Sequence, residues 1–225
     1  MSEFYKSNHR YYLSVDCVVL GLNSGRLSIL LTKRAFAPEE GKWSLIGGFV
    51  QPEESLNQAA KRVLTQLTGL SNVYMEQVGA FGEIDRDPGD RVISVAYYAL
   101  INFDEHDRRK VMSHNACWVD FADIPELGFD HSSIITHTLK KLRFRFVNEP
   151  IGLKLLPRQF TLSQMQSLYE TVLGHRLDKR NFRKRVQEAK CIESTGEVDK
   201  LNSKRGAALY RFNAEIYEKD KKFKI

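Results

Sequence analysis

Three groups of residues carry side chains suited to chemistry. Lys179, Arg180, Asn181, Arg183, Lys184 and Gln187 crowd into the stretch 179–187. These types suit a DNA groove: arginine can read guanine, asparagine and glutamine can read adenine, and lysine and arginine neutralise phosphate. Lys200, Lys204 and Arg205 add cations around a polar, glycine-containing tip, placed to reach phosphates or the minor groove. A second group lies in FGEIDRDPGDR (81–91), with Glu83, Asp85, Arg86, Asp87 and Arg91. Carboxylates accept from hydroxyl groups and guanidinium groups pair with anions, so this loop could hold a polar small molecule. Lys33 and Trp43 join it as candidates, the indole because it can stack on a sugar or base face. The third group is GGFVQPEESLNQAAKRVLTQLTGL (47–70), where Glu54 and Arg62 bracket an amphipathic run.

The elements that must position these residues follow from periodicity. YLSVDCVVLGL (12–22) and RLSILLTKRA (26–35) flank a Ser-Gly turn and read as a β-hairpin. WSLIGGFV (43–50) reads as a short strand. Residues 52–69 read as a helix whose apolar face comprises Leu56, Ala59, Ala60, Val63, Leu64 and Leu67, with Gly69 as its stop. Strands follow at 73–83, 91–101 and from 116, then a helix at 131–146. Mixed strands with interleaved helices predict an α/β sandwich over 1–148. NEPIGLKLLPRQF, with prolines near both ends, predicts a linker over 149–160. Residues 161–174 and 177–189 read as helices, and 191–213 as two strands. In the basic helix, Phe182, Val186 and Ala189 share one face and the polar residues lie opposite or on its flanks.

The charge changes sign at the same boundary. Residues 1–150 hold 17 basic and 19 acidic residues, a net −2, whereas 151–225 hold 17 and 9, a net +8. That asymmetry points to a nucleic-acid-binding unit attached to a near-neutral one. No apolar run approaches the ~18–20 residues that span a bilayer, and MSEFYKSNHRYY lacks the apolar centre of a secretory signal. Cys17, Cys117 and Cys191 are odd in number and far apart, which argues against a disulfide framework and for a reducing cytoplasm. Neither they nor the scattered histidines have metal-ligand spacing, and no metal or cofactor is expected.

Gly48, Glu54, Arg62, Leu64, Gly69 and Leu70 match the motif G-x5-E-x7-R-E-U-x-E-E-x-G-U, with U aliphatic, and so resemble a Nudix box. The family's later glutamates fall here on Val63, Gln66 and Leu67. In Nudix enzymes those glutamates bind Mg²⁺ or Mn²⁺, hard cations that require oxygen ligands. Only Glu54 and the neutral carbonyl of Gln66 remain, so the resemblance implies a catalytically silent domain, with Arg62 pairing with Glu54 or Glu53.

The second segment, a helix, a turn, a basic helix and a basic hairpin, resembles a winged helix-turn-helix. Together the halves are similar to Nudix-related transcriptional regulators of the NrtR and AraR type. The resemblance implies a Nudix-type α/β/α sandwich (1–148), a linker (149–160) and a C-terminal winged helix-turn-helix domain (161–225). It also implies a homodimer on a palindromic operator and a small-molecule effector. Within the group the match is placed nearest the arabinose-responsive regulators. The loop 81–91 carries four acids, Glu83, Asp85, Asp87 and Asp90, against two arginines. A neutral sugar wants carboxylates, whereas ADP-ribose wants cations against its diphosphate, so the expected effector is L-arabinose, with ADP-ribose as the alternative.

Overall fold

The computed structural model describes residues 6–23, 26–102, 115–200 and 206–225. Its organising strand is β1 (Tyr12–Asn23). Successive side chains of a strand point to opposite faces. Val15, Cys17 and Val19 therefore enter one apolar cluster, while Val18 and Leu20 enter the other. Asp16 shares the parity of Val18 and Leu20, so it points towards that second face.

One edge of β1 pairs in parallel with β6 (Val92–Ile101). The other edge is divided. Its first half pairs antiparallel with β4 (Ile46–Phe49) and its second half with β2 (Arg26–Lys33). With β3 (Trp43–Ser44), β5 (Tyr74–Phe81) and β7 (Ala116–Asp120) the described strands form a seven-stranded sheet in the order β3-β2-β1-β6-β5, β4 lying on β1 and β7 on β2. The division of one edge leaves a cleft where β4 diverges from β2 beside Asp16.

Helix α1 (Leu56–Thr68) covers the first face. Ser55 and Gln58 close a capping box at its start and Gly69, at φ 69°, ends it in the left-handed region that suits glycine. It buries Ala59, Ala60, Val63 and Leu64. Leu67, expected on that packed face, is 38% exposed instead. Leu56 and the buried Thr68 extend the packed face at either end, while Leu67 lies at its margin.

Helix α2 (His131–Asn148) covers the opposite face with Ile134, Ile135, Leu142 and Phe146. A 3₁₀ turn (Pro150–Leu155) follows, and Ile151, Leu155, Leu156 and Phe160 are buried. Residues 149–160 thus pack into the core rather than hanging free. After them come β8 (Phe160–Thr161), α3 (Leu162–Leu173), α4 (Lys179–Glu188), β9 (Ile192–Asp199), β10 (Ala207–Phe212) and α5 (Ala214–Asp220). The small sheet runs β8-β10-β9. This is a Nudix-type fold followed by a winged helix.

The two halves share one apolar cluster. Phe146 of α2 meets Tyr169 of α3 at 5.3 Å between ring centroids, both fully buried. Arg143 donates from Nε to the Val172 carbonyl at 2.9 Å, and the Ile225 amide donates to the Val147 carbonyl at 2.9 Å. Truncating a buried phenylalanine to alanine costs about 3–5 kcal/mol, so Phe146 anchors the junction. No helix among the described residues is long and apolar enough to cross a membrane.

Candidate functional site

The cleft beside Asp16 is a cavity of about 200 Å³ lined by residues of β1, β4, the loop after β2, the loop 82–91 and the start of α2. Asp16 is its buried floor. Strand register sets Gly47 opposite Asp16, and a Cβ at Gly47 would lie 2.2 Å from Asp16 Oδ1. Only glycine lets the carboxylate occupy that space. Ser94, on the neighbouring strand and the same face, donates to Asp16 Oδ2 at 2.5 Å. Arg86 donates to the same oxygen at 3.2 Å and pairs bidentately with Asp130, at 2.7 and 3.0 Å. His131 closes the set, Nε2 standing 3.5 Å from Asp16 Oδ1. Its Nδ1 accepts from the Leu45 amide at 3.1 Å. An amide can only donate, so Nδ1 is the accepting nitrogen here and Nε2 is the one that faces Asp16. Burial by itself would raise the Asp16 pKa; His131, Ser94 and Arg86 more than offset it and hold the carboxyl at about 2. The floor is therefore ionised and rigid.

The wall of the cavity differs. Arg34 lines it, half-buried, with its guanidinium 4.8 Å from the centre of the Phe36 ring and 4.7 Å from that of Phe129. Its Nε donates to the Pro38 carbonyl at 2.7 Å. Among the described residues no carboxylate lies within ion-pairing distance of it. Phe129 holds φ 56°, unusual for a bulky residue, and that strain sets its ring between Arg34 and His131, 5.1 Å from the imidazole. Phe36 and Phe49 line the mouth at 65% and 55% exposure. A cation with free donors, aromatic faces at the rim and carboxylates on the floor can take a ligand combining an anion, a flat ring and hydroxyl groups.

The residues predicted from sequence divide between this cavity and its surroundings. Arg86 and Asp87 line it. Lys33 and Trp43 pair across β2 and β3, the ammonium 5.2 Å from the indole centre, outside the lining. Glu83 and Asp85 are exposed, and Arg91 donates to the Glu83 carbonyl at 2.8 Å while lying over Tyr11. Asp16, Arg34, Phe36, Phe49, Phe129 and His131 were missed. Asp16 had a visible signal, a lone acid in the apolar run YLSVDCVVLGL. The others had none, because loop geometry and the start of α2 bring them in.

The basic helix is arranged as its periodicity predicts. Phe182, Val186 and Ala189 are buried, while Lys179, Arg180, Asn181, Arg183, Lys184 and Gln187 are all exposed on one shallow concave surface. Asp178 caps α4 by accepting from the Asn181 amide at 2.9 Å. Lys200 is exposed at the end of β9. Lys204 and Arg205 lie outside the described residues.

Comparison with known proteins now bears on both surfaces. A NUDIX domain family model matches residues 10–138, and one for the NrtR DNA-binding winged helix domain matches 152–212. The chain is 34% identical over 223 residues to the ADPR responsive transcriptional repressor NtrR of Acinetobacter baylyi, covering 97% of this chain and 89% of that one. The chain belongs to the NrtR family. Its fold matches Shewanella oneidensis NrtR solved with a 27mer DNA, with TM-score 0.81, 29% identity and coverage of 92% of this chain and 95% of that one. The Nudix half is similar to the Shewanella oneidensis NrtR Nudix domain solved with ADP ribose, with TM-score 0.55, 28% identity and coverage of 63% of this chain and 99% of that one.

Membership in the NrtR family corrects the expected effector. L-arabinose was inferred from the acid-rich loop 81–91, yet the NrtR relatives are an ADPR-responsive repressor and a domain solved with ADP ribose. The physical reason lies in counting charges along the chain instead of around the cavity. Glu83 and Asp85 face solvent, and Asp87 and Asp90 accept from the Gly89 and Arg91 amides. Arg34, a cavity-lining cation with no carboxylate partner among the described residues, belongs to another loop. The nearest-relative placement among arabinose-responsive regulators falls with the same findings.

Proposed function

We propose that this chain is a DNA-binding transcriptional repressor that responds to ADP-ribose and does not hydrolyse it. The observation that carries the reading is Arg34, a half-buried guanidinium between two aromatic rings with donors free for a diphosphate. Phe36 and Phe49 stand at the mouth, where a base would stack, and Asp87 lines the cavity with a carboxylate oxygen that suits a ribose hydroxyl. The ADPR-responsive Acinetobacter baylyi repressor and the Shewanella oneidensis Nudix domain solved with ADP ribose support this assignment. Residues 161–225 form the DNA-reading unit and 1–148 the effector unit, joined by 149–160. Two recognition helices in a homodimer suit the half-sites of a palindromic operator.

Catalytic silence follows from the box. Val63, at the place of the first lost glutamate, is 2% exposed and packs under Gly48, whose Cβ would lie 3.0 Å from it. Glu54 is taken: Arg62 pairs with it at 2.5 and 2.8 Å, and it accepts from the Gln51 amide at 2.8 Å. Arg62 also donates to the Phe49 carbonyl and to Gln66. A guanidinium thus occupies the oxygens that a divalent cation would need, and the donor set does not fit Mg²⁺ or Mn²⁺.

The test is fluorescence anisotropy on a labelled duplex from the protein's own upstream region, at fixed salt, with and without ADP-ribose. ADP-ribose should weaken binding and remain intact by chromatography in the presence of Mg²⁺. Tight duplex binding indifferent to ADP-ribose, or Mg²⁺-dependent turnover, would sink the reading.

A further inference from the structure

The cavity and the DNA-binding half are joined by α2, and its first turn is unusually tied. Asp130 stands at the N-cap, where a carboxylate ordinarily accepts from the helix's own amides. Here it makes no such bond. Both of its oxygens go to Arg86 instead, at 2.7 and 3.0 Å. Arg86 lines the cavity and Asp130 does not. The other end of α2 holds the winged helix through Phe146 against Tyr169, Arg143 to the Val172 carbonyl and Val147 to the Ile225 amide. From residue 131 to residue 143 the helix runs about 18 Å.

We propose that Asp130 is the residue through which ligand occupancy of the cavity reaches the DNA-binding half. This rests on the ADP-ribose reading above. Two competitions meet at this carboxylate. Arg86 can pair with Asp130 or with an anion in the cavity. Asp130 can pair with Arg86 or turn its carboxylate to an amide of the first turn of α2, where at present only its main-chain carbonyl accepts, from the Ser133 and Ile134 amides. A diphosphate that draws Arg86 releases Asp130 to cap its own helix, and the first turn changes its attachment to the pocket floor. The helix is packed along its length, so the change is carried to the Phe146–Tyr169 junction as a shift of the whole element. The empty and loaded cavities thus favour different attachments of α2, which is the differential interaction that coupling between two sites requires.

The test combines two measurements on the full chain: calorimetry of ADP-ribose binding, and anisotropy of operator binding with and without ADP-ribose. In the wild type, ADP-ribose should reduce operator affinity by ~10-fold or more, within the range usual for coupled sites. Asp130→Asn keeps the size and loses the charge. It should bind ADP-ribose as tightly as the wild type or more so, since Arg86 loses a competitor, while ADP-ribose changes its operator affinity by less than ~3-fold. Arg143→Gln, remote from the cavity, should also bind ADP-ribose normally and show reduced coupling, which guards against a folding defect in the first variant. If both variants keep the wild-type ratio, the role assigned to Asp130 and α2 is wrong while the ADP-ribose reading stands. A wild type that binds no ADP-ribose overturns both.

Discussion

Replacing Arg34 by methionine tests the pocket most directly. The side chain is half-buried with its guanidinium between Phe36 and Phe129, and methionine fills part of that space with an uncharged thioether. What is lost is the charge, the donors beyond Nε that are open to a ligand, and the bond from Nε to the Pro38 carbonyl. A hydrogen bond to a charged group contributes ~1.5–3 kcal/mol. The open mouth of the cavity places Arg34 near the lower part of that range, at about 2 kcal/mol, which is ~30-fold in Kd. Losing the two cation–π contacts and the bond to the Pro38 carbonyl should cost folding about 2–3 kcal/mol, visible as a fall in melting temperature. Arg34→Lys keeps the charge but not the planar fork, and should fall between, about 5–10-fold weaker than wild type. Isothermal titration with ADP-ribose gives both values. A methionine variant that still folds and binds within about twofold of wild type would refute the assignment of Arg34 to the diphosphate.

Further outcomes follow from other parts of the molecule. Lys184 is exposed with only a weak 3.9 Å partner in Glu188, so Lys184→Glu should weaken operator binding at least ~10-fold and make the log–log salt dependence shallower by about 1 per recognition helix; unchanged anisotropy titrations would remove α4 from the interface. The Asp16 pKa is depressed from 3.8 to about 2, which stabilises the fold fully above about pH 4 and is lost as pH falls towards 2. Urea midpoints should therefore decline through that window, and less steeply in Asp16→Asn; an equal slope in the two proteins would show that the floor carboxylate is not the group responsible. Val63→Glu restores a motif glutamate in sequence but buries a charge among Val15, Ala59 and Ala60, so it should destabilise by ~3 kcal/mol or more and yield no Mg²⁺-dependent release of AMP from ADP-ribose.

Much of this protein is legible in one dimension. The spacing of Gly48, Glu54, Arg62 and Gly69 identifies the box and its missing ligands, since a helix motif is local in sequence and its residues lie within a few turns of one another. The basic face of α4 is legible for the same reason: a period of 3.6 residues puts Phe182 and Val186 inside and Lys184 and Gln187 outside. Both surfaces depend on short-range geometry that the chain writes directly.

The cavity beside Asp16 depends on long-range geometry, and there the sequence alone misleads. Whether a carboxylate faces a ligand is decided by strand register and loop path, which join Asp16, Arg34, Arg86 and His131 across more than half the chain. The acids of 81–91 dominate a linear count, yet most serve turns or solvent, and Arg34, a cavity-lining cation with no carboxylate partner among the described residues, lies in the loop after β2. The junction of the two halves is likewise a tertiary matter. Two prolines suggested a linker, but burial of Ile151, Leu155 and Leu156 makes that segment part of a shared core. Sequence determined the Nudix-plus-winged-helix family and the exposed basic helix; tertiary packing decided which charges line the cavity, because only folding sets charges distant along the chain against one another.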